Sequence, residues 1–106
     1  MLRYVFDLDG TICSQMQSGT YHLAKPVQQV IDFMAEIYAE GHHITIFTAR
    51  GMNTYDGDVE AVINAYWNLT VNWLERHGVK YHVLRFGKPP ADFYVDDKGI
   101  KPWELR

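Results

Sequence analysis

Among 106 residues the sequence has a single cysteine, Cys13. An internal disulfide is therefore excluded, and the chain suits a reducing compartment. Long apolar runs are also missing. The longest fall far below the ~18 residues that would cross a bilayer, and Asp7 and Asp9 interrupt the amino terminus before a signal-peptide core could form. The expectation is a soluble, cytoplasmic protein with no membrane partner. Basic charge is not in excess either: ten Lys plus Arg stand against thirteen Asp plus Glu, a formal net charge of −3. That balance argues against nucleic-acid binding driven by counterion release. No repeat, low-complexity tract or linker-like stretch divides the chain, so residues 1–106 are expected to form one domain. What is present is apolar and aromatic: 47% hydrophobic and 14% aromatic residues suffice for a core without staples.

Short β-favouring runs alternate with helical patterns. Arg3-Tyr4-Val5-Phe6 reads as a buried strand ending abruptly in the turn chemistry of Asp7-Leu8-Asp9-Gly10-Thr11. From Ile12 to Lys25 the residues are small and polar without a period, which predicts a functional or mobile loop. Pro26 suits the first position of a helix carrying Val27, Val30, Ile31, Met34, Ile37 and Tyr38, with Gly41 as its stop. His43 to Phe47 predicts a second strand, and Val59, Val62, Ile63, Tyr66, Leu69, Trp73 and Leu74 mark a second helix closing at His77-Gly78. Tyr81 to Leu84 and Phe93 to Val95 complete the pattern as third and fourth strands. This order implies an α/β protein, a Rossmann-like three-layer sandwich with a short, mainly parallel sheet joined by right-handed crossovers.

In such sheets ligands collect at the carboxyl ends of the strands. Those ends carry Asp7 and Asp9, then Thr48 and Arg50, then Lys88, and finally Asp96 and Asp97. Four carboxylates in one crevice repel unless a cation compensates them, and oxygen ligands facing phosphate suit magnesium. Asp7 and Asp9 are two residues apart, so in extended chain they share a side while Leu8 points away. Gly10 permits a tight turn whose backbone amides could face an anion. A carboxylate is a competent nucleophile toward phosphorus once its oxygens are neutralised, and a second can hold a proton. Lys98 and Arg85 are alternatives to Lys88 as the cation, and Arg50 divides between substrate contact and a structural salt bridge.

Asp7-Leu8-Asp9-Gly10-Thr11, Thr48 after Ile44-Thr45-Ile46-Phe47, Lys88, and Asp96-Asp97 occur in the order of the four motifs of the haloacid dehalogenase (HAD) superfamily, which the sequence resembles over nearly its whole length. Phe47-Thr48-Ala49-Arg50-Gly51-Met52 and Phe86-Gly87-Lys88-Pro89-Pro90-Ala91-Asp92 are similar to small phosphatases of capsule and polysaccharide biosynthesis. The resemblance implies a HAD-like core without a cap domain and a magnesium-dependent phosphomonoesterase working through an aspartyl-phosphate. Asp7 would be the nucleophile and Asp9 the general acid, then base. Leu8, Gly10, Thr48, Ala49 and Lys88 would bind phosphate, with Arg50 assigned to substrate. Asp7, the main-chain carbonyl of Asp9, and Asp96 with Asp97 would hold Mg2+. The substrate would be a small phosphorylated metabolite, a sugar phosphate first. A nucleotide or nucleic-acid end phosphatase and a noncatalytic phosphate-binding module are the alternatives.

The histidines point to structure rather than chemistry, since no spacing makes a zinc site and His77 falls where an imidazole complements a helix dipole. His22, in the first loop, is the one candidate for substrate contact. Trp73 fits the core stripe, whereas Trp67 is off it. Sheet edges in a four-stranded domain are hard to cover, so a homo-oligomer is expected.

Overall fold

A computed structural model of the chain describes residues 1–17 and 19–88. The β-favouring run at the amino terminus forms β1 (Arg3–Phe6), as its composition predicts. A 3-10 turn at Tyr21–Leu23 and the helix α1 (Gln28–Ala39) lead to β2 (His43–Thr48), and α2 (Val59–Arg76) leads to β3 (Val83–Phe86). The sheet order is β1-β2-β3 and both pairings are parallel. Phe6, Ile46 and Leu84 lie side by side in register.

Parallel neighbours joined through a helix follow right-handed crossovers as a rule, which would put α1 and α2 on one face of this sheet. Burial agrees: Phe6, Ile44, Ile46, Thr48, Leu84 and Phe86 are buried, while the alternate positions Val5, Thr45, Val83 and Arg85 are partly or wholly exposed. The described residues thus make a two-layer α/β unit. The expected fourth strand, Phe93 to Val95, lies outside the described residues. No helix among those described is long and apolar enough to cross a membrane.

α1 buries Val30, Ile31, Phe33, Met34 and Ile37. Five such side chains stabilise the fold by on the order of 10 kcal/mol before conformational entropy is subtracted. Its first turn starts later than Pro26 suggests, with Val27 as N-cap, and Val27 and Tyr38 are exposed. Phe33 takes the place expected of them because it meets Phe6 and Tyr4 at the sheet. In α2 the Asp58 carboxylate caps the helix by accepting the Ala61 amide at 3.2 Å. Val62, Trp73 and Leu74 are buried there as expected, Trp67 is exposed, and Thr70 is buried on the same stripe. β3 begins two residues later than Tyr81, because pairing with β2 sets its register through Thr45 and Val83.

The stretch from Ile12 to Lys25 is tied down at both ends. Val27 donates its amide to the Ile12 carbonyl at 2.8 Å, and Ser14 donates its own to the Lys25 carbonyl at 2.8 Å. Lys25 returns an N–H to the Ser14 hydroxyl at 2.9 Å, and the buried Trp73 indole donates to the Ala24 carbonyl at 2.9 Å. A loop without periodicity is here a strap laid across α2.

Candidate active site

β1 ends at Phe6 and delivers Asp7 to the carboxyl edge of the sheet. The Asp7 carboxylate accepts the Leu8 amide through Oδ1 at 2.9 Å, and Lys88 Nζ lies 3.7 Å from the same oxygen. Among the described residues Oδ2 takes no hydrogen bond or ion pair. The Asp7 side chain is 40% exposed and that of Lys88 19%. Burial raises the Asp7 carboxyl above its usual range and the Asp9 charge adds to this, while Lys88 and the Leu8 N–H oppose the rise. Lys88 follows β3 through Gly87, whose φ is +99°, and its amide donates to the Thr48 carbonyl at 3.1 Å. It therefore enters from a loop held against the end of β2.

The chain next winds tightly around one carbonyl. Leu8 O accepts the amides of Thr11, Ile12 and Cys13 at 3.2, 2.9 and 3.2 Å, and Gly10, at φ +87°, donates to Cys13 O at 2.8 Å. Leu8 itself is wholly buried. The amides of Leu8 and Gly10, which the sequence places in an anion cradle, are thus both engaged within the chain.

This turn aims Asp9 inward, at Arg50. Arg50 Nε donates to Asp9 Oδ2 at 2.9 Å and Nη2 to Oδ1 at 2.9 Å, the paired geometry that makes guanidinium–carboxylate contacts strong. The Arg50 side chain has no solvent exposure and that of Asp9 only 10%. Nη1 donates to the buried Thr70 hydroxyl at 3.0 Å, and the guanidinium carbon sits 4.5 Å over the Tyr21 ring. Cys13 donates its thiol to Asp9 Oδ1 at 3.3 Å. Desolvation pushes that thiol up to about 12, with the Asp9 charge adding to it. The buried Thr48 hydroxyl accepts the Arg50 amide at 3.1 Å. Gly51 donates its amide to the Tyr21 hydroxyl at 3.1 Å, and the Tyr21 ring meets Tyr66 edge-on at 5.0 Å.

Of the residues singled out from sequence, the fold brings Asp7, Asp9, Thr48, Ala49, Arg50 and Lys88 to one edge. Asp96 and Asp97 lie outside the described residues. Arg50 takes the structural side of its two readings, since its donors face Asp9 and Thr70. His22 is exposed on the strap, and His42 and His82 accept the amides of Leu2 and Ile44 through Nδ1 at 3.0 and 3.1 Å, both structural roles. Cys13, Tyr21 and Thr70 are neighbours of the site that sequence reasoning missed. Thr70 alone carried a signal, as a polar side chain within an apolar helical stripe.

Two carboxylates with different surroundings can do different work. Asp7 is partly exposed and one of its oxygens has no partner among the described residues, so it can attack or ligate, whereas Asp9 is fixed and nearly enclosed. No cluster of three or more metal-ligating side chains occurs among the described residues. The oxygen donors present, Asp7 Oδ2 foremost, nevertheless fit a hard cation such as magnesium, which commonly binds one or two carboxylates and keeps several waters.

No protein-family model and no curated protein matches the chain. Among solved structures, the crystal structure of an MCSG target from Vibrio cholerae is similar at 36% identity and TM-score 0.89, covering 99% of this chain and 87% of that one. A chain from the structure of a Pnkp1/Rnl/Hen1 complex is similar at 19% identity and TM-score 0.62. That likeness covers 99% of this chain but only 33% of the other, and it extends to the fold alone.

Proposed function

The chain belongs to the same family as the Vibrio cholerae protein, and from the residues at its sheet edge we propose that it is a magnesium-dependent phosphomonoesterase of the HAD type, without a cap domain. The observation that carries this reading is Asp7: a half-exposed carboxylate at a strand end, beside the Lys88 ammonium, with a second carboxylate two residues on held in a fixed orientation.

An Asp7 oxygen attacks phosphorus as the ester P–O bond breaks, and the departing oxygen takes a proton from Asp9. Water then attacks the same phosphorus, the bond to Asp7 breaks, and Asp9 receives the proton that water loses. Lys88 offsets phosphoryl charge next to Asp7, and the end of β2 around Thr48 forms the wall it leans on. When bound by Asp7, the Asp9 main-chain carbonyl and the Asp96-Asp97 pair, magnesium would neutralise the phosphoryl oxygens and relieve the repulsion among the acids. The leading substrate class is a small phosphorylated metabolite, with sugar phosphates first because of the motif similarity to polysaccharide-biosynthesis phosphatases. A cytoplasmic setting and a homo-oligomer belong to the same proposal.

The test is turnover of para-nitrophenyl phosphate and a panel of sugar phosphates, nucleotides and 3′-phosphorylated oligonucleotides, with magnesium and with excess chelator. Asp7→Asn should abolish hydrolysis in a folded protein, and chelator should stop the wild type. Full activity of Asp7→Asn would remove Asp7 as nucleophile. Phosphate binding without turnover of any ester would identify a noncatalytic module.

A further inference from the structure

Arg50 is the one buried cation among the described residues, and its burial leaves it without the substrate contact expected from the sequence. Its side chain has no exposure, so it does not reach a ligand in solution. Three elements hold it in place. The Thr70 hydroxyl on α2 accepts Nη1 at 3.0 Å, the Tyr21 ring of the strap lies 4.5 Å below the guanidinium carbon, and its own amide is bound to Thr48 Oγ1 at 3.1 Å at the end of β2. A planar donor fixed from three sides presents its remaining edge, Nε and Nη2, to both oxygens of Asp9. The Cys13 thiol adds a contact to Oδ1 at 3.3 Å.

We infer that Arg50 is a positioning residue: its paired contact fixes the orientation of the Asp9 carboxylate, and Thr70 and Tyr21 in turn fix Arg50. Lysine has no second donor in the same plane and cannot reproduce the paired contact. The inference rests on the proposed hydrolysis, and it assigns the Asp9 geometry to residues on the strap and α2 that touch no substrate.

The experiment compares wild type, Arg50→Lys and Thr70→Val on two esters, para-nitrophenyl phosphate, whose leaving group needs little protonation, and glycerol 2-phosphate, whose leaving alkoxide needs it. A misplaced acid forfeits general acid assistance of on the order of 100-fold. Arg50→Lys is therefore expected to lose about that factor in kcat on glycerol 2-phosphate and roughly tenfold less on the aryl ester, with KM for both within about twofold of wild type. Thr70→Val, which leaves both Asp9 contacts available but loosens Arg50, should show the same inequality in smaller degree. Equal losses on the two esters in both variants would overturn the positioning role while leaving the hydrolase reading intact. A wild type inert toward every ester would overturn the hydrolase reading itself. If Arg50→Lys does not fold, Thr70→Val alone decides by the same ratio.

Discussion

Replacing Asp9 by alanine should destabilise this protein as well as inactivate it. Arg50 has no exposed side-chain surface and Asp9 only 10%, so the pair is nearly dry. Removing the carboxylate leaves the guanidinium with the Thr70 hydroxyl, the Cys13 sulfur and the Tyr21 ring, none of which carries a full negative charge. Breaking one side of a buried pair costs about 3–5 kcal/mol, and the slight exposure of Asp9 puts this case near ~3 kcal/mol. A domain of this size has ~5–15 kcal/mol in total, and each kcal/mol moves Tm by roughly 4–8 °C. Asp9→Ala should therefore melt about 12–24 °C below wild type, followed by circular dichroism and tryptophan fluorescence. Pairing Asp9→Leu with Arg50→Met should recover much of the loss, because the desolvated charge goes with its partner. A fall of under ~4 °C for Asp9→Ala would refute the reasoning, since it would mean that water or another acceptor serves Arg50 without difficulty.

Gly51→Ala should destabilise by about 2–3 kcal/mol in urea titrations: the residue sits at φ +73°, and an added Cβ would lie 2.7 Å from Tyr66 Cε2 and 3.3 Å from Val62 Cγ1. Cys13, wholly buried with its thiol pushed up to about 12, should resist Ellman's reagent in native buffer and react at once in denaturant. Asp7→Asn should behave oppositely to Asp9→Ala. The Asp7 carboxyl is raised by burial, so the fold gains from its protonated form below the usual carboxylate range and loses that gain as pH climbs through the raised value. In magnesium-free buffer at neutral pH the variant should match or exceed wild-type stability, by under ~1 kcal/mol because the side chain is 40% exposed, and the difference should vanish in acid. A marked drop in its Tm at pH 7 would contradict this sign.

How much of this was readable beforehand depended on distance along the chain. β1 was legible because Arg3 to Phe6 ends in an Asp-Gly turn, a purely local signal. The start of β3 was not, because Tyr81 favours strand as much as Val83 does and only pairing to β2 chooses between them. Asp7, Thr48 and Lys88 were found at strand ends from pattern and motif together. The partner of Arg50 could not be found that way: Asp9 is 41 residues away, and local sequence does not say which of several carboxylates a buried arginine will meet. Tyr21 sat in a stretch with no period to mark it, and its importance arises only when the strap crosses Arg50.

The strap also governs how the molecule assembles. Its anchors reach from Ala24 to Trp73, 49 residues away, and from Tyr21 to Gly51, 30 residues away, over a sheet whose pairings are all parallel and hence nonlocal. Loop closure must precede each of these contacts, and the Asp9–Arg50 pair, 41 residues apart in sequence, likewise needs distant segments brought together. The Gly51 amide and the Trp73 indole should then exchange hydrogen only through global unfolding, at one shared free energy. Whatever reaction this edge performs, its geometry is gained and lost together with the fold as a whole.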